Sequence, residues 1–134
     1  MKLITRNTDY AIRAVCNIAL QNPKVVSVVD LVKALGIPRP FLRKILQILN
    51  RNDVLISHKG QGGGFTLAKP AGKIYLLDMV KIFQGELKIN ECLFKKALCP
   101  NIRTCALRKR ITKIERFALE QLKSVTIKVL VSGS

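Results

Sequence analysis

The sequence has 134 residues, with no tryptophan, a single histidine and only eight acidic side chains. One histidine leaves little capacity for general acid–base catalysis, and no nucleophile–base pair is visible, which disfavours a small redox or metal-handling enzyme. With two tyrosines, five phenylalanines and no tryptophan, stacking platforms are scarce. This scarcity disfavours a non-specific nucleic-acid or RNA-binding protein. The sequence therefore predicts a protein that is not an enzyme.

Long apolar runs are also absent. No stretch is long enough to span a bilayer, and charged residues at positions 2, 6, 9 and 13 interrupt any signal-peptide core. We therefore expect a cytoplasmic protein with no membrane partner. In a reducing cytosol, clustered cysteines more often bind metal or sense redox state than form structural disulfides.

Positive charge is abundant. Lys and Arg number 24 against eight Asp and Glu, for a formal net charge of +16. This excess is larger than solubility alone requires, and it indicates a polyanionic partner, most commonly nucleic acid. The length fits one domain, or one domain with an appended element.

Three helices are predicted in the first half of the chain. Apolar residues recur at helical spacing over residues 5–22, and Pro23 ends that pattern. Ser27 stands at a capping position before a short second helix, and Gly36 is placed to end it. A third helix over residues 38–53 begins with prolines, which the first helical turn tolerates.

The third predicted helix has an apolar face and a basic face. Its apolar residues are Leu42, Ile45, Leu46 and Leu49. The opposite face carries Arg39, Arg43 and Gln47 at four-residue intervals, with Lys44 and Arg51 beside them. Two helices joined through Gly36 make a helix-turn-helix candidate, whose second helix would lie in the DNA major groove. A helical hairpin with a solvated basic face is the alternative.

A glycine-rich hairpin follows. The β-like runs VLISH (54–58) and FTLAK (65–69) flank KGQGGG (59–64). A nucleotide-binding P-loop would need Lys-Ser/Thr and then a helix, but the chain continues as a strand. A glycine-rich tip with Lys59, directly after a helix-turn-helix, is typical of a wing that contacts the phosphate backbone or minor groove. A simple hairpin turn is the alternative, and His58 is interpreted as a DNA-facing or surface residue.

The second half contains a fourth predicted helix over residues 76–84, a cysteine-containing loop and a long final helix. Pairing of the final helix with its copy would give a homodimer; packing back on its own domain is the alternative. The predicted fold is mainly α with a small β-hairpin. Its parts are a winged helix-turn-helix (1–85), a cysteine loop (86–106), and a dimerisation helix and tail (103–134). The near-heptad apolar stripe of the final helix comprises Leu107, Ile111, Ile114, Ala118, Leu122 and Val125.

Three of the four cysteines, Cys92, Cys99 and Cys105, lie within that loop. Thiolates hold iron–sulfur clusters, and nearby cations lower thiol pKa values and offset the charge of the centre. Structural zinc sites favour short Cys-x-x-Cys knuckles, which are absent. A thiol–disulfide switch, a zinc-dependent regulator without a cluster, and a purely structural loop remain open. Cys16, among apolar residues of the first helix, is interpreted as a buried, inert thiol.

Several segments together carry a family resemblance over nearly the whole chain. They are TRNTDYAIRAVCNIAL, DLVKALGIPRPFLRKILQIL, KGQGGGFTLAKP, LLDMVKIFQGE and the three-cysteine loop. They resemble the Rrf2 family of bacterial winged helix-turn-helix regulators, in particular its IscR-like and NsrR-like members. The resemblance implies a homodimer that binds palindrome-like operator sites in double-stranded DNA. It also implies a 4Fe-4S or 2Fe-2S iron–sulfur cluster held by Cys92, Cys99 and Cys105.

The chain departs from this pattern in two places. Six residues separate Cys92 from Cys99 where close relatives commonly have five, and Arg108 stands where IscR-like members have a histidine ligand. The resemblance to the NsrR-type start implies Asp9, from the partner subunit, as the fourth ligand. A favourable charge in the first helical turn is the alternative role for Asp9.

The sequence as a whole is therefore interpreted as a DNA-binding regulator that senses redox, nitric oxide or iron–sulfur status. Its expected DNA contacts are Arg39, Arg43, Lys44, Gln47 and Lys59.

Overall fold

The computed structural model describes residues 3–86 and 106–133. Within these ranges the chain is mainly helical with a two-stranded antiparallel hairpin, which confirms the predicted fold class. The predicted loop cysteines, Cys92, Cys99 and Cys105, lie outside the described residues. The elements are α1 (Arg6–Gln21), α2 (Val28–Leu35), α3 (Arg39–Arg51), β1 (Leu55–His58), β2 (Gly64–Leu67), a 3-10 turn (Ala71–Lys73), α4 (Leu76–Gln84), α5 (Ala106–Ser124) and α6 (Ile127–Ser132).

Local signals in the sequence set the ends of the early helices. The Ser27 hydroxyl accepts a hydrogen bond from the Asp30 backbone N–H at 3.1 Å, and so satisfies a donor that the first turn of α2 leaves unpaired. Gly36 ends α2 in the left-handed conformation, with φ of 66°. Pro40 occupies the first turn of α3, where a missing N–H breaks no intrahelical bond. The predicted boundaries of these helices are confirmed to within a few residues.

One hydrophobic core joins α1, α2, α3, the hairpin, α4 and α6. The apolar face predicted for α3 is confirmed, because its four residues are no more than 3% exposed. Those residues pack with side chains from the neighbouring elements, including Ala11, Val15, Ile18, Leu31, Leu55, Met79 and Ile127. This packing fixes the orientation of α3, so its opposite face is held rigidly toward solvent.

The C-terminal segment is divided into two helices. Thr126 caps a new helix, its hydroxyl accepting from the Val129 backbone N–H at 3.3 Å, so the apolar stripe predicted through Val125 is interrupted after Ser124. The Ile127 N–H donates to the Ile74 carbonyl at 2.9 Å, and the Ile127 side chain is fully buried in the main core. Residues 126–132 therefore pack on the N-terminal domain.

Candidate nucleic-acid interface

The four DNA-contact candidates on α3 share its solvent face. Arg39, Arg43, Lys44 and Gln47 are all exposed, and α3 contains no acidic residue to offset their charge. Ile37, 3% exposed, anchors the turn between α2 and α3 in the core. The structure thus presents a helix-turn-helix whose second helix offers guanidinium, ammonium and amide donors in one direction. Such donors can reach phosphate oxygens and base edges.

The hairpin has the register expected for a wing. Leu55 pairs with Leu67 and His58 pairs with Gly64, which leaves residues 59–63 as the tip, with Lys59 exposed. Gly64 is required by a close approach, since a Cβ there would clash with the carbonyl oxygen of Val26.

Backbone hydrogen bonds tie the base of the hairpin to the helix-turn-helix. The Phe65 N–H donates to the Val26 carbonyl at 2.8 Å, and the Val26 N–H donates to the Phe65 carbonyl at 3.0 Å. Val26 lies two residues before α2, so the hairpin and the helix-turn-helix are joined by main-chain contacts. Lys59 therefore lies exposed at the tip of a hairpin whose base is fixed to the helix-turn-helix.

His58 lies in the first wing strand and is exposed, in agreement with its interpretation as a surface residue. Its Nε2 lies 2.9 Å from the Thr66 hydroxyl on the opposing strand. This side-chain pair adds a cross-strand contact next to the tip.

The helical periodicity of α3 does not identify one large apolar residue that is exposed. Phe41, in the first turn, is 57% exposed although four other apolar residues of α3 are buried. It stands three residues before Lys44, so the two side chains are neighbours on the helix surface. The feature that could have identified it is its sequence position, one residue before Leu42, where the buried Leu42–Leu49 face begins.

Asp9 lies in the first turn of α1, as predicted, and its carboxylate is paired. Arg13 Nε donates to Asp9 Oδ2 at 2.9 Å, with 45% of the Asp9 side chain exposed. Asp9 also lines a shallow groove of about 380 Å³ along α1. Across residues 3–86 and 106–133, no three His, Cys, Asp or Glu side chains are grouped so as to hold a metal.

Cys16 faces the same groove and is half-buried rather than fully buried. Burial raises the pKa of the Cys16 thiol. Because the thiolate is the reactive form, this shift lowers the reactivity of Cys16 near neutral pH. The interpretation of Cys16 as a poorly reactive thiol is supported, although its burial is only partial.

A partly buried polar network joins the start of α1 to the end of α4. Gln84 Oε1 accepts from the Thr8 hydroxyl at 2.6 Å and from the Thr5 backbone N–H at 2.8 Å. Gln84 Nε2 donates to the Leu3 carbonyl at 3.1 Å, and Thr8 is fully buried. Asp9 directly follows Thr8 in α1. Gln84 is the last residue of α4, and the predicted cysteine loop begins two residues later, at position 86. The network therefore links the turn that carries Asp9 to the segment that leads into the cysteine loop.

The first turns of α5 are uncovered. Leu107, Ile114 and Phe117 are 67%, 53% and 64% exposed, whereas Leu122 is 9% exposed and packs with Leu77 and Val80. The C-terminal end of α5 thus packs on the domain, whereas apolar side chains nearer its start are exposed. No helix in the part of the chain that the structure describes is long and apolar enough to cross a membrane.

The helix-turn-helix, its joined hairpin and the basic solvent face together define a winged helix-turn-helix DNA-binding protein. The family model described as "Rrf2: Iron-dependent Transcriptional regulator" matches residues 4–133. The chain belongs to the Rrf2 family of DNA-binding transcriptional regulators.

Relatives and solved structures agree with this family. The chain is 32% identical over 131 residues to "Protein aau3" of Rhizobium meliloti, covering 97% of this chain and 85% of that protein. It is 32% identical over 125 residues to a "Putative HTH-type transcriptional regulator" of Aquifex aeolicus, covering 92% and 87%.

Two solved structures share the fold. CymR, the global cysteine regulator of B. subtilis, has a TM-score of 0.85 at 20% identity, covering 100% of this chain and 99% of that one. T. potens IscR has a TM-score of 0.71 at 22% identity, covering 99% and 88%. At these identities the likeness establishes the winged-helix fold.

Proposed function

We propose that this regulator binds operator DNA as a homodimer and senses redox, nitric oxide or iron–sulfur status through an iron–sulfur cluster. Cys92, Cys99 and Cys105 would hold the cluster, with Asp9 of the partner subunit as the fourth ligand. The observation that carries the proposal is the position of the cysteine segment. It connects α4, which Gln84 ties to α1, with α5, where Leu107, Ile114 and Phe117 are exposed.

DNA binding is assigned to α3 and the hairpin. In this proposal α3 enters the major groove, where Arg39 and Arg43 donate bidentate hydrogen bonds to guanine edges or phosphates. Gln47 suits an adenine edge, and Lys44 and Lys59 suit phosphates as point charges. The shared core of α1, α3 and the hairpin keeps α3 and the hairpin in fixed relative positions.

The homodimer contact is assigned to α5. Its three most exposed apolar residues lie at positions 107, 114 and 117, near the seven-residue spacing of a helix-to-helix seam. A symmetric pair would bury these residues and present two copies of α3 to two half-sites of one operator.

The donor set fits an iron–sulfur cluster. Three thiolates and one carboxylate supply four ligands, and thiolates are the usual protein ligands of such clusters. When bound, the cluster would supply a redox-active and nitric-oxide-reactive centre. The basic residues of α5 that follow Cys105 most closely in the sequence would offset the negative charge of the thiolates; they are Arg108, Lys109, Arg110 and Lys113.

Asp9 would be the weakest of the four ligands, because a carboxylate is a harder ligand than a thiolate. Arg13 contacts Asp9 through Oδ2 in the single subunit, so ligation through Oδ1 would not require this ion pair to break. Through Thr8 and Gln84, the turn that carries Asp9 also contacts the end of α4 in its own subunit. Loss of Asp9 ligation would therefore remove the link between α1 of one subunit and the cluster of its partner, and with it a constraint on the relative position of the two copies of α3.

The test is the visible absorption spectrum of anaerobically purified protein, together with iron and sulfide assays. We expect a coloured protein whose colour is lost in the single variants Cys92→Ser, Cys99→Ser and Cys105→Ser. Cys16→Ser is the matched control and should retain the spectrum, because Cys16 is half-buried in α1 and lies far in sequence from the three loop cysteines.

Colourless wild-type protein after anaerobic reconstitution would reject the cluster while leaving DNA binding intact. Iron-free protein whose DNA affinity responds to a thiol reductant would instead support a thiol–disulfide regulator. Iron-free protein that responds only to a zinc chelator would support a zinc-dependent regulator.

A further inference from the structure

Phe41 is an exposed aromatic side chain next to a cation on α3. It is 57% exposed, and Lys44, three residues later, is an exposed neighbour on the helix surface. The core does not require it, since α3 already buries four apolar residues on its adjacent face. An isolated exposed apolar residue needs no special explanation in itself. The place of Phe41 on α3 is what gives it a candidate role.

The first turn of α3 presents apolar surface rather than polar caps. Pro40 is exposed and has no N–H, no side chain caps the helix, and the turn contains no acidic residue. Pro40 and Phe41 therefore form an apolar tip with cations beside it. In helix-turn-helix proteins, the N-terminal residues of the second helix are those that contact base edges.

The major groove contains one kind of apolar group. Phenylalanine can neither donate nor accept a conventional hydrogen bond, so it cannot read the polar edges of the bases. It can contact the C5-methyl group of thymine, which projects into the major groove. The positive charge of Arg39 and Lys44 favours DNA over an apolar protein partner as the occupant of this surface.

We propose that Phe41 is a specificity-determining residue that selects a thymine in each operator half-site through contact with its C5-methyl group. The proposal rests on the proposed placement of α3 in the major groove and does not depend on the cluster. It also makes a second chemical prediction, because 5-methylcytosine carries its methyl group at the same ring position as thymine. Cytosine at this position should bind less tightly than 5-methylcytosine.

The first step of the test identifies the operator. Full-length protein selects binding sequences from a random pool of duplex DNA, and the best duplex is resynthesised with uracil replacing each thymine in turn. This replacement removes only the methyl group and leaves the base-pairing edge unchanged. Affinities are then measured by fluorescence anisotropy at one fixed salt concentration.

At one thymine per half-site, uracil should weaken wild-type binding about fourfold, which corresponds to roughly 0.8 kcal/mol for one methyl-sized group. When uracil replaces this thymine in both half-sites, the two losses of affinity should multiply. In Phe41→Ala, thymine and uracil should bind equally at that position, since the contacting ring is gone. Phe41→Met, which retains a large apolar side chain, should recover part of the preference.

Leu20→Ala is the matched control, because Leu20 is 66% exposed on α1 and its truncation removes a comparable exposed apolar side chain. It should preserve the full thymine preference. Thermal melts should show that both Ala variants remain folded, as expected for exposed positions.

Two results would overturn the inference alone: Phe41→Ala binding as tightly as wild type, or uracil penalties that are the same in both proteins. If Phe41→Ala weakens binding and reduces DNA bending without a thymine-specific effect, Phe41 acts as an inserted wedge and the inference is wrong. If wild-type protein selects no sequence, the proposed operator binding fails, and the inference fails with it.

Discussion

Helices α3 and α5 are both amphipathic, but the subunit covers the apolar face of only one of them. In α3, of 13 residues, the four residues of the apolar face are no more than 3% exposed. In α5, of 19 residues, only Leu122 is buried, and Leu107, Ile114 and Phe117 are at least half exposed. The comparison shows that the same sequence pattern can organise a core or leave apolar side chains exposed.

The largest effect is expected from truncating the covered face. Leu46→Ala should lower the free energy of unfolding by about 2 to 5 kcal/mol, because Leu46 is fully buried and the change leaves a cavity. Urea unfolding followed by circular dichroism measures the change. Leu20→Ala, at an exposed site, is the control and should alter stability by no more than about 0.5 kcal/mol. Equal losses in the two variants would contradict the assignment of Leu46 to the core.

The next effect concerns the uncovered face of α5. In Ile114→Asp we expect the free energy of dimerisation to fall by about 2 to 3 kcal/mol, since an unpaired buried carboxylate costs at least as much as an unpaired neutral polar group. Sedimentation measures the dissociation, while circular dichroism should show an unchanged helical content.

Thr112→Asp adds the same charge to an exposed position away from the 107–111–114 stripe and should leave the dimer intact. An undiminished dimer of Ile114→Asp would show that α5 is not the subunit contact.

Substitutions on the basic face of α3 and in the wing should weaken operator binding, whereas those in α5 should weaken dimerisation. Arg39→Ala and Arg43→Ala should weaken operator binding by about 1 to 3 kcal/mol wherever a bidentate base contact is lost. Lys59→Ala should weaken binding evenly across sequences and reduce the salt slope by about 0.9, as expected for one phosphate contact.

Lys123→Ala removes one positive charge near the end of α5 and is the control, with an expected salt slope equal to that of wild type. If all three α3 and wing variants bind as wild type does, the interface lies elsewhere.

The smallest effect on stability is expected at Asp9. As a favourable charge in the first turn of α1, it contributes about 0.3 to 1 kcal/mol, which Asp9→Ala would remove. Ligation predicts an additional result, a cluster spectrum that is perturbed or more rapidly bleached by nitric oxide. Asp78→Ala is the control, since Asp78 occupies the first turn of α4. A spectrum and nitric-oxide response unchanged in Asp9→Ala would reject Asp9 as a ligand.

The features that the sequence predicts well are those set by neighbouring residues. Ser27 caps α2 and Gly36 ends it through contacts within a few residues, so spacing alone identifies both. The apolar face of α3 follows from the helical repeat, and the hairpin from the glycines between two short strands. In each case the physical cause is local.

The features that were missed depend on distant contacts. Gln84 meets Thr8 across 76 positions, and no local pattern indicates that pairing. The stripe of α5 was extended through Val125 because its spacing is regular, but Thr126 begins another helix whose Ile127 joins the main core. Phe41 was overlooked because periodicity identifies faces and does not measure exposure. The DNA contacts and cluster ligands remain predictions.

The base of the hairpin is hydrogen-bonded to the segment before α2, whereas its tip is exposed to solvent. This difference bears on how such regulators diversify. At Gly64 a side chain would meet the backbone of Val26, whereas a Cβ at Gly60 or Gly62 would have no atom within 4 Å. Side chains at these two positions would therefore meet no packed atom, although φ of 92° and 73° there favours glycine, and the Val26 to Phe65 hydrogen bonds would stay in place. Recharging the tip is thus a route by which a descendant, or a designer, can change operator preference without rebuilding the domain.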